Sequence, residues 1–138
     1  ELDPGVEWYQ NDLIIWSGSM KEPVQVDKYC YDVDILPTIS NLLGLEYDSR
    51  LMVGQDILSD SEQLVCFPNR SFISGKCIYN AVNGSVTPLT DEEVTQEYLD
   101  QMSAVVYDKF SVSEMVLHEN YYQYLDGHIS FESDEKSN

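Results

Sequence analysis

Basic residues are scarce in this sequence: seven Lys and Arg stand against 25 Asp and Glu, a formal net charge of −18 over 138 residues. A field of that sign repels polyanions unless a metal or a local basic pocket intervenes, so nucleic acid is not expected as a partner. Long apolar runs are also missing. No stretch approaches the roughly 20 consecutive apolar residues that cross a bilayer, and no basic-then-apolar leader opens the chain. The opening Glu1-Leu2-Asp3-Pro4, without Met, is what an excised or processed piece shows, and any anchoring or export segment is expected upstream.

Motifs that name a reaction are absent too: there is no nucleophile elbow, Gly-rich phosphate loop or zinc-binding helix. Cys30, Cys66 and Cys77 are odd in number and spaced neither as a metal knuckle nor as a redox pair. Buried reduced thiols are the expectation. A Cys66–Cys77 disulfide stays open should their strands face each other in an oxidising compartment. The two histidines, His118 and His128, lack a third ligand at any metal-binding spacing, and a surface or cap role is expected for both. Asp32 and Asp34 lie two apart without the rest of a calcium loop, and Asp34 reads better as a helix cap.

What the sequence does hold is core material. A 43% hydrophobic share with ten Tyr, four Phe and two Trp is enough for one folded domain and argues against disorder. Leu13-Ile14-Ile15-Trp16, ending at Ser17-Gly18, reads as a strand buried on both faces. Asp34 then caps a helix whose apolar positions Ile35, Leu36, Ile39, Leu42 and Leu43 keep the 3.6 period, with Pro37 in its first turn and Gly44 just past its end. Residues 46–61 read as loop and mark a subdomain boundary.

Beyond the loop, Leu64 to Phe67, Ser71 to Ile73, Cys77 to Val82 and Ser85 to Pro88 read as four short antiparallel strands, the last two joined by an Asn83-Gly84 hairpin turn. Thr90-Asp91-Glu92-Glu93 matches a capping box with Leu89 and Val94 as its staple, predicting a helix from Asp91. Its buried face is expected at Val94, Tyr98, Met102, Val105, Val106 and Phe110. Ser111-Val112-Ser113-Glu114 repeats the box and predicts a second, short helix. Tyr121 to Leu125 is expected to dock on the body, with a polar acidic tail over 126–138.

One turn stands out in a chain so poor in cations. Asn69-Arg70-Ser71 places an Arg where it can take a phosphate by paired hydrogen bonds, the plainer alternative being a surface pair with one of the many carboxylates. Asn69-Arg70-Ser71 and Asn83-Gly84-Ser85 also match the short glycosylation pattern, which chance supplies often.

In order, Asp12 to Ser17, then Val33-Asp34-Ile35-Leu36-Pro37-Thr38 with Asn41-Leu42-Leu43-Gly44-Leu45, then Gly54-Gln55-Asp56-Ile57-Leu58, resemble the closing stretch of sulfatase-superfamily catalytic domains. Phe67 to Ile73, Leu89 to Glu93 and Tyr121 to Leu125 look like the C-terminal subdomain of lipoteichoic acid synthase-like proteins. The resemblance implies an α/β parent of the alkaline phosphatase/sulfatase-like fold. This chain would be its C-terminal fragment: 1–60 the end of the catalytic domain, 61–125 an α+β subdomain of four antiparallel strands packed by a helix, and 126–138 the tail.

The activity so implied is phosphoglycerol transfer at the extracellular face of the plasma membrane, from an anionic phospholipid headgroup, through a metal-bound threonine. Manganese is the implied metal, and upstream transmembrane helices are the implied anchor. The nucleophile and metal ligands of that family lie upstream of the segment matched by Leu13 to Trp16. None maps onto these residues, so the chain is expected to bind no cofactor and to be silent alone, its partner being the upstream catalytic half. The family's C-terminal sheet borders the active-site cleft, which makes Asn69 and Arg70 the candidate substrate contacts. Alternatives are a sulfate- or phosphate-ester hydrolase of the same superfamily and a noncatalytic acidic interaction module. An isolated piece with an unpaired apolar strand is expected to self-associate or to be poorly soluble.

Overall fold

The computed structural model describes residues 11–49 and 52–121. A 3-10 turn at Asp32–Asp34 leads into helix α1, Ile35–Leu43. Strands β1 (Leu64–Cys66), β2 (Phe72–Ser74), β3 (Cys77–Asn80) and β4 (Ser85–Pro88) follow, and helix α2 spans Gln96–His118. The piece is α+β. The four strands form one antiparallel sheet in the order β1-β2-β3-β4, as the alternation of short apolar runs and breakers predicts. Val65 pairs with Ile73, Ile73 with Ile78, and Ile78 with Thr87, which fixes the register across the sheet.

Alternation along the strands sorts their side chains. Leu64, Cys66, Phe72 and Cys77 join Leu99 and Val106 of α2 in one core, with Tyr31, Tyr79, Met102 and Phe110 packed against it. Phe72 and Tyr79 are cross-strand partners whose ring centroids lie 5.2 Å apart. Val65 and Ile73 are buried too, although they belong to the opposite face, so the first two strands are covered on both sides. On α2 the buried residues are Leu99 and Val106, seven apart, and Val105 of the expected face is exposed instead.

Several expectations are corrected. No strand forms at Leu13 to Trp16: Ile14 is 85% and Trp16 84% exposed, and neither belongs to the sheet. An apolar run becomes a strand only with a neighbour to share its ladder, and the meander from 64 to 88 is complete without it. The helix expected from Asp91 begins five residues later, where the Thr95 hydroxyl accepts from the Tyr98 N–H at 3.2 Å. Residues 89–92 are tied to β3 instead. Leu89 N–H donates to the Lys76 carbonyl, Lys76 pairs with Glu92 at 2.6 Å, and the Thr90 hydroxyl accepts locally from Glu92 N–H.

The second capping box does not start a new helix either, because the Ser111 hydroxyl turns back to the Tyr107 carbonyl and α2 runs on through it. Asn83-Gly84 is not a two-residue turn. Asn80 pairs with Ser85, so four residues close the hairpin, with Gly84 left-handed at φ +72° and its N–H on the Asn80 carbonyl. Cys66 and Cys77 lie on strands separated by β2, and both are free thiols. Apart from Tyr121, the segment expected to dock at 121–125 and the acidic tail lie outside the described residues.

Candidate functional site

Two places combine polar side chains with unusual backbone. The first joins α1 to residues 52–63, which form neither helix nor strand. Asp34, 2% exposed, does not cap α1 with its side chain as expected. Its carboxylate reaches back to the Tyr31 N–H at 3.1 Å and across to the Gln55 N–H at 2.8 Å. One turn on, Thr38 donates its hydroxyl to the Asp34 carbonyl at 2.6 Å and accepts from the Ile57 N–H at 3.0 Å. Asn41 Nδ2 then donates to Asp56 at 2.8 Å.

Between these bonds Gly54 runs so close to the 3-10 turn that a Cβ there would sit 2.0 Å from the Val33 carbonyl oxygen. The Asp34-Ile35-Leu36-Pro37-Thr38 and Gly54-Gln55-Asp56-Ile57 strings are therefore two halves of one lock. From α2, Lys109 adds a bond to the Val53 carbonyl at 2.7 Å.

Burial shifts several titratable groups in and beside the lock. Burial pushes the Asp34 carboxyl up, against the hydrogen bonds from Gln55 and Tyr31 and the field of Lys109, which pull it down. Burial likewise pushes the Tyr31 phenol up, with the Cys66 thiol and the Asp34 carboxylate adding to it. The Cys66 thiol is raised by burial, and so is that of Cys30, where Asp34 contributes. A raised thiol is a poor nucleophile.

The second place is the β1–β2 turn that carries Asn69 and Arg70. Arg70 N–H donates to the Phe67 carbonyl, and Phe67 N–H to the Ser71 carbonyl. Asn69 Oδ1 accepts from the Ser71 N–H at 3.0 Å. This tight closure leaves Arg70 in the left-handed region at φ +69°, which a non-glycine residue seldom adopts. Its guanidinium lies 4.0 Å from the centre of the Phe110 ring and 5.9 Å from that of Tyr107. Among the described residues it makes no ion pair. The aromatic platform was missed in the sequence, although its signal, Tyr107 and Phe110 three apart on one helix face, is there.

His118 stands in the last turn of α2, exposed, with Nδ1 3.5 Å from Glu119 Oε1. His128 lies outside the described residues, and Asp32 is exposed. Among the described residues no three His, Cys, Asp or Glu side chains converge as a metal site requires. No described helix is long and apolar enough to cross a membrane.

No family model matches the chain. It is 33% identical over 96 residues to lipoteichoic acid synthase 2 of Bacillus subtilis, covering 67% of this chain and 14% of that protein. It is 35% identical over 86 residues to lipoteichoic acid synthase of Staphylococcus saprophyticus, covering 56% of this chain and 13% of that protein. The chain is thus distantly similar, over part of its length, to lipoteichoic acid synthases, a family of the sulfatase superfamily. It spans a small fraction of either relative.

Proposed function

We propose that this chain is the C-terminal part of a lipoteichoic acid synthase-type phosphoglycerol transferase, supporting an upstream catalytic body of the alkaline phosphatase-like fold. Residues 1–60 would finish that body, and the sheet with α2 would form the subdomain beside its cleft. The observation that carries the reading is the likeness to two lipoteichoic acid synthases. The exposed Leu36, Leu42 and Leu43 on α1, together with Ile14 and Trp16, support it as the kind of surface a covering body would meet.

On this reading glycerol phosphate transfer occurs at the outer face of the plasma membrane, in a protein anchored by segments other than these. The metal and the nucleophile belong to the upstream body, and no chemical step is assigned to the residues described here. Their part is to hold the body's last helix through the Asp34–Gln55 lock and to carry the Asn69–Arg70 turn.

A chimera tests it. The matching segment of lipoteichoic acid synthase 2 from Bacillus subtilis is replaced by this chain, and transfer of glycerol phosphate from labelled phosphatidylglycerol is measured. Retained transfer is expected. A chimera that folds and inserts but transfers nothing would count against the reading.

A further inference from the structure

Arg70 has the makings of an anion subsite. Three other cations among the described residues hold partners: Lys76 pairs with Glu92, Lys28 donates to the Ser59 carbonyl and Lys109 to the Val53 carbonyl. The Arg70 guanidinium lies over the Phe110 ring, 4.0 Å from its centre, and among the described residues no carboxylate pairs with it, although acidic residues outnumber basic ones 25 to 7 in the sequence. A guanidinium seated over a ring still has N–H donors for another partner, and its planar fork suits the paired oxygens of a phosphate. The neighbouring Asn69 has its Oδ1 tied to the Ser71 N–H, so the amide is oriented and its Nδ2 hydrogens remain to donate. The left-handed backbone at Arg70 is the kind of local strain that collects at ligand-holding turns.

We propose that the Asn69–Arg70 turn, backed by Phe110 and Tyr107, is a subsite for the oxyanion of a phosphate ester. It rests on the transferase reading for the choice of phosphate ester over other anions. The strong negative charge of the chain keeps affinity low, so the site suits a single oxyanion at a time, in a small headgroup or in one unit of a polymer.

The test is an NMR titration of the 15N-labelled chain with sn-glycerol 3-phosphate against sodium chloride at matched ionic strength. Saturable shifts are expected at the Arg70 Nε–H and the Asn69 side-chain amide, with a Kd on the order of 1 mM. R70K, which keeps the charge but loses the planar fork, should weaken binding several-fold, and R70Q should abolish it. F110L should weaken it as well, by removing the platform. Circular dichroism of each variant confirms that the fold is intact.

An identical response to chloride, or a titration unchanged in R70Q, would overturn the subsite. Flotation with phosphatidylglycerol and phosphatidylcholine vesicles separates the sources. Arg70-dependent capture by the anionic vesicles assigns the site to a lipid headgroup, and a response confined to the soluble ester assigns it to free or polymeric glycerol phosphate. Failure here with an active chimera removes the subsite and leaves the transferase reading. An inactive but folded chimera with Arg70-dependent binding does the reverse.

Discussion

The two halves of the molecule are held together by opposite means. In the sheet and α2 the apolar residues are inside: Phe72, Cys77 and Val106 are fully buried in one core. In α1 Leu36, Leu42 and Leu43 are outside, with Ile35 and Ile39 half-buried. Leu36 is 60% and Leu43 68% exposed, while the buried residues of that helix are Pro37, Thr38 and Ser40. The sheet layer thus spends its hydrophobic surface on itself. The α1 segment is kept in place by directed bonds from Asp34, Thr38 and Asn41, and its apolar stripe is left for something else to cover.

That contrast predicts unequal responses to substitution. Phe72→Ala empties the centre of the core and should cost about 3–5 kcal/mol, read as a lower denaturation midpoint for the sheet and α2 together. Survival of the cooperative transition with little change would show that the core lies elsewhere. Gly54→Ala drives a methyl into the Val33 carbonyl and should cost about 1–3 kcal/mol, but locally. Amide exchange at Gln55 and Ile57 should speed up many-fold while that of β2 hardly moves. If β2 loses protection equally, the two halves are one cooperative unit and the contrast fails.

Charge sharpens the same comparison. Because burial raises the Asp34 carboxyl, the fold binds its proton more readily than the unfolded chain does. Between the ordinary Asp value and this raised one, the contribution of Asp34 to stability therefore falls as pH rises and returns as pH drops. A paired carboxylate with a depressed value would show the opposite slope. Following the Asp34 carboxyl carbon by NMR should give a midpoint above the usual aspartate range, and one below it would mean that the Gln55 and Tyr31 bonds outweigh burial.

Sequence reading reached the sheet almost intact, because alternating apolar runs between Pro68, Gly75 and Gly84 leave little choice of strands. It failed where a local signal competes with a distant partner. Leu13 to Trp16 has the composition of a strand but no ladder to join. Asp34 has the composition of a cap, yet its partner Gln55 lies 21 residues away, a separation no local pattern encodes. Arg70 was legible as a lone cation at a turn, whereas the ring beneath it comes from a helix 40 residues on.

The smallest expected effect decides between the two readings of where α2 begins. Thr90 and Thr95 are both helix-capping residues by type, and the sequence favours Thr90, with Glu93 three places on. In the fold Glu92 is drawn away to Lys76, and Thr95 takes the cap by accepting from Tyr98. Thr95→Ala should therefore cost about 1 kcal/mol, and Thr90→Ala a few tenths at most. The reverse order in a denaturation series would mean that α2 extends back to Asp91 in solution and that the Lys76–Glu92 pair is too weak to hold the chain against its own capping box. Lys76→Gln offers an independent route to the same answer. Removing the pair frees Glu92 from Lys76, so if the pair is what suppresses the first box, helicity should rise slightly in that variant and Thr90→Ala should begin to matter.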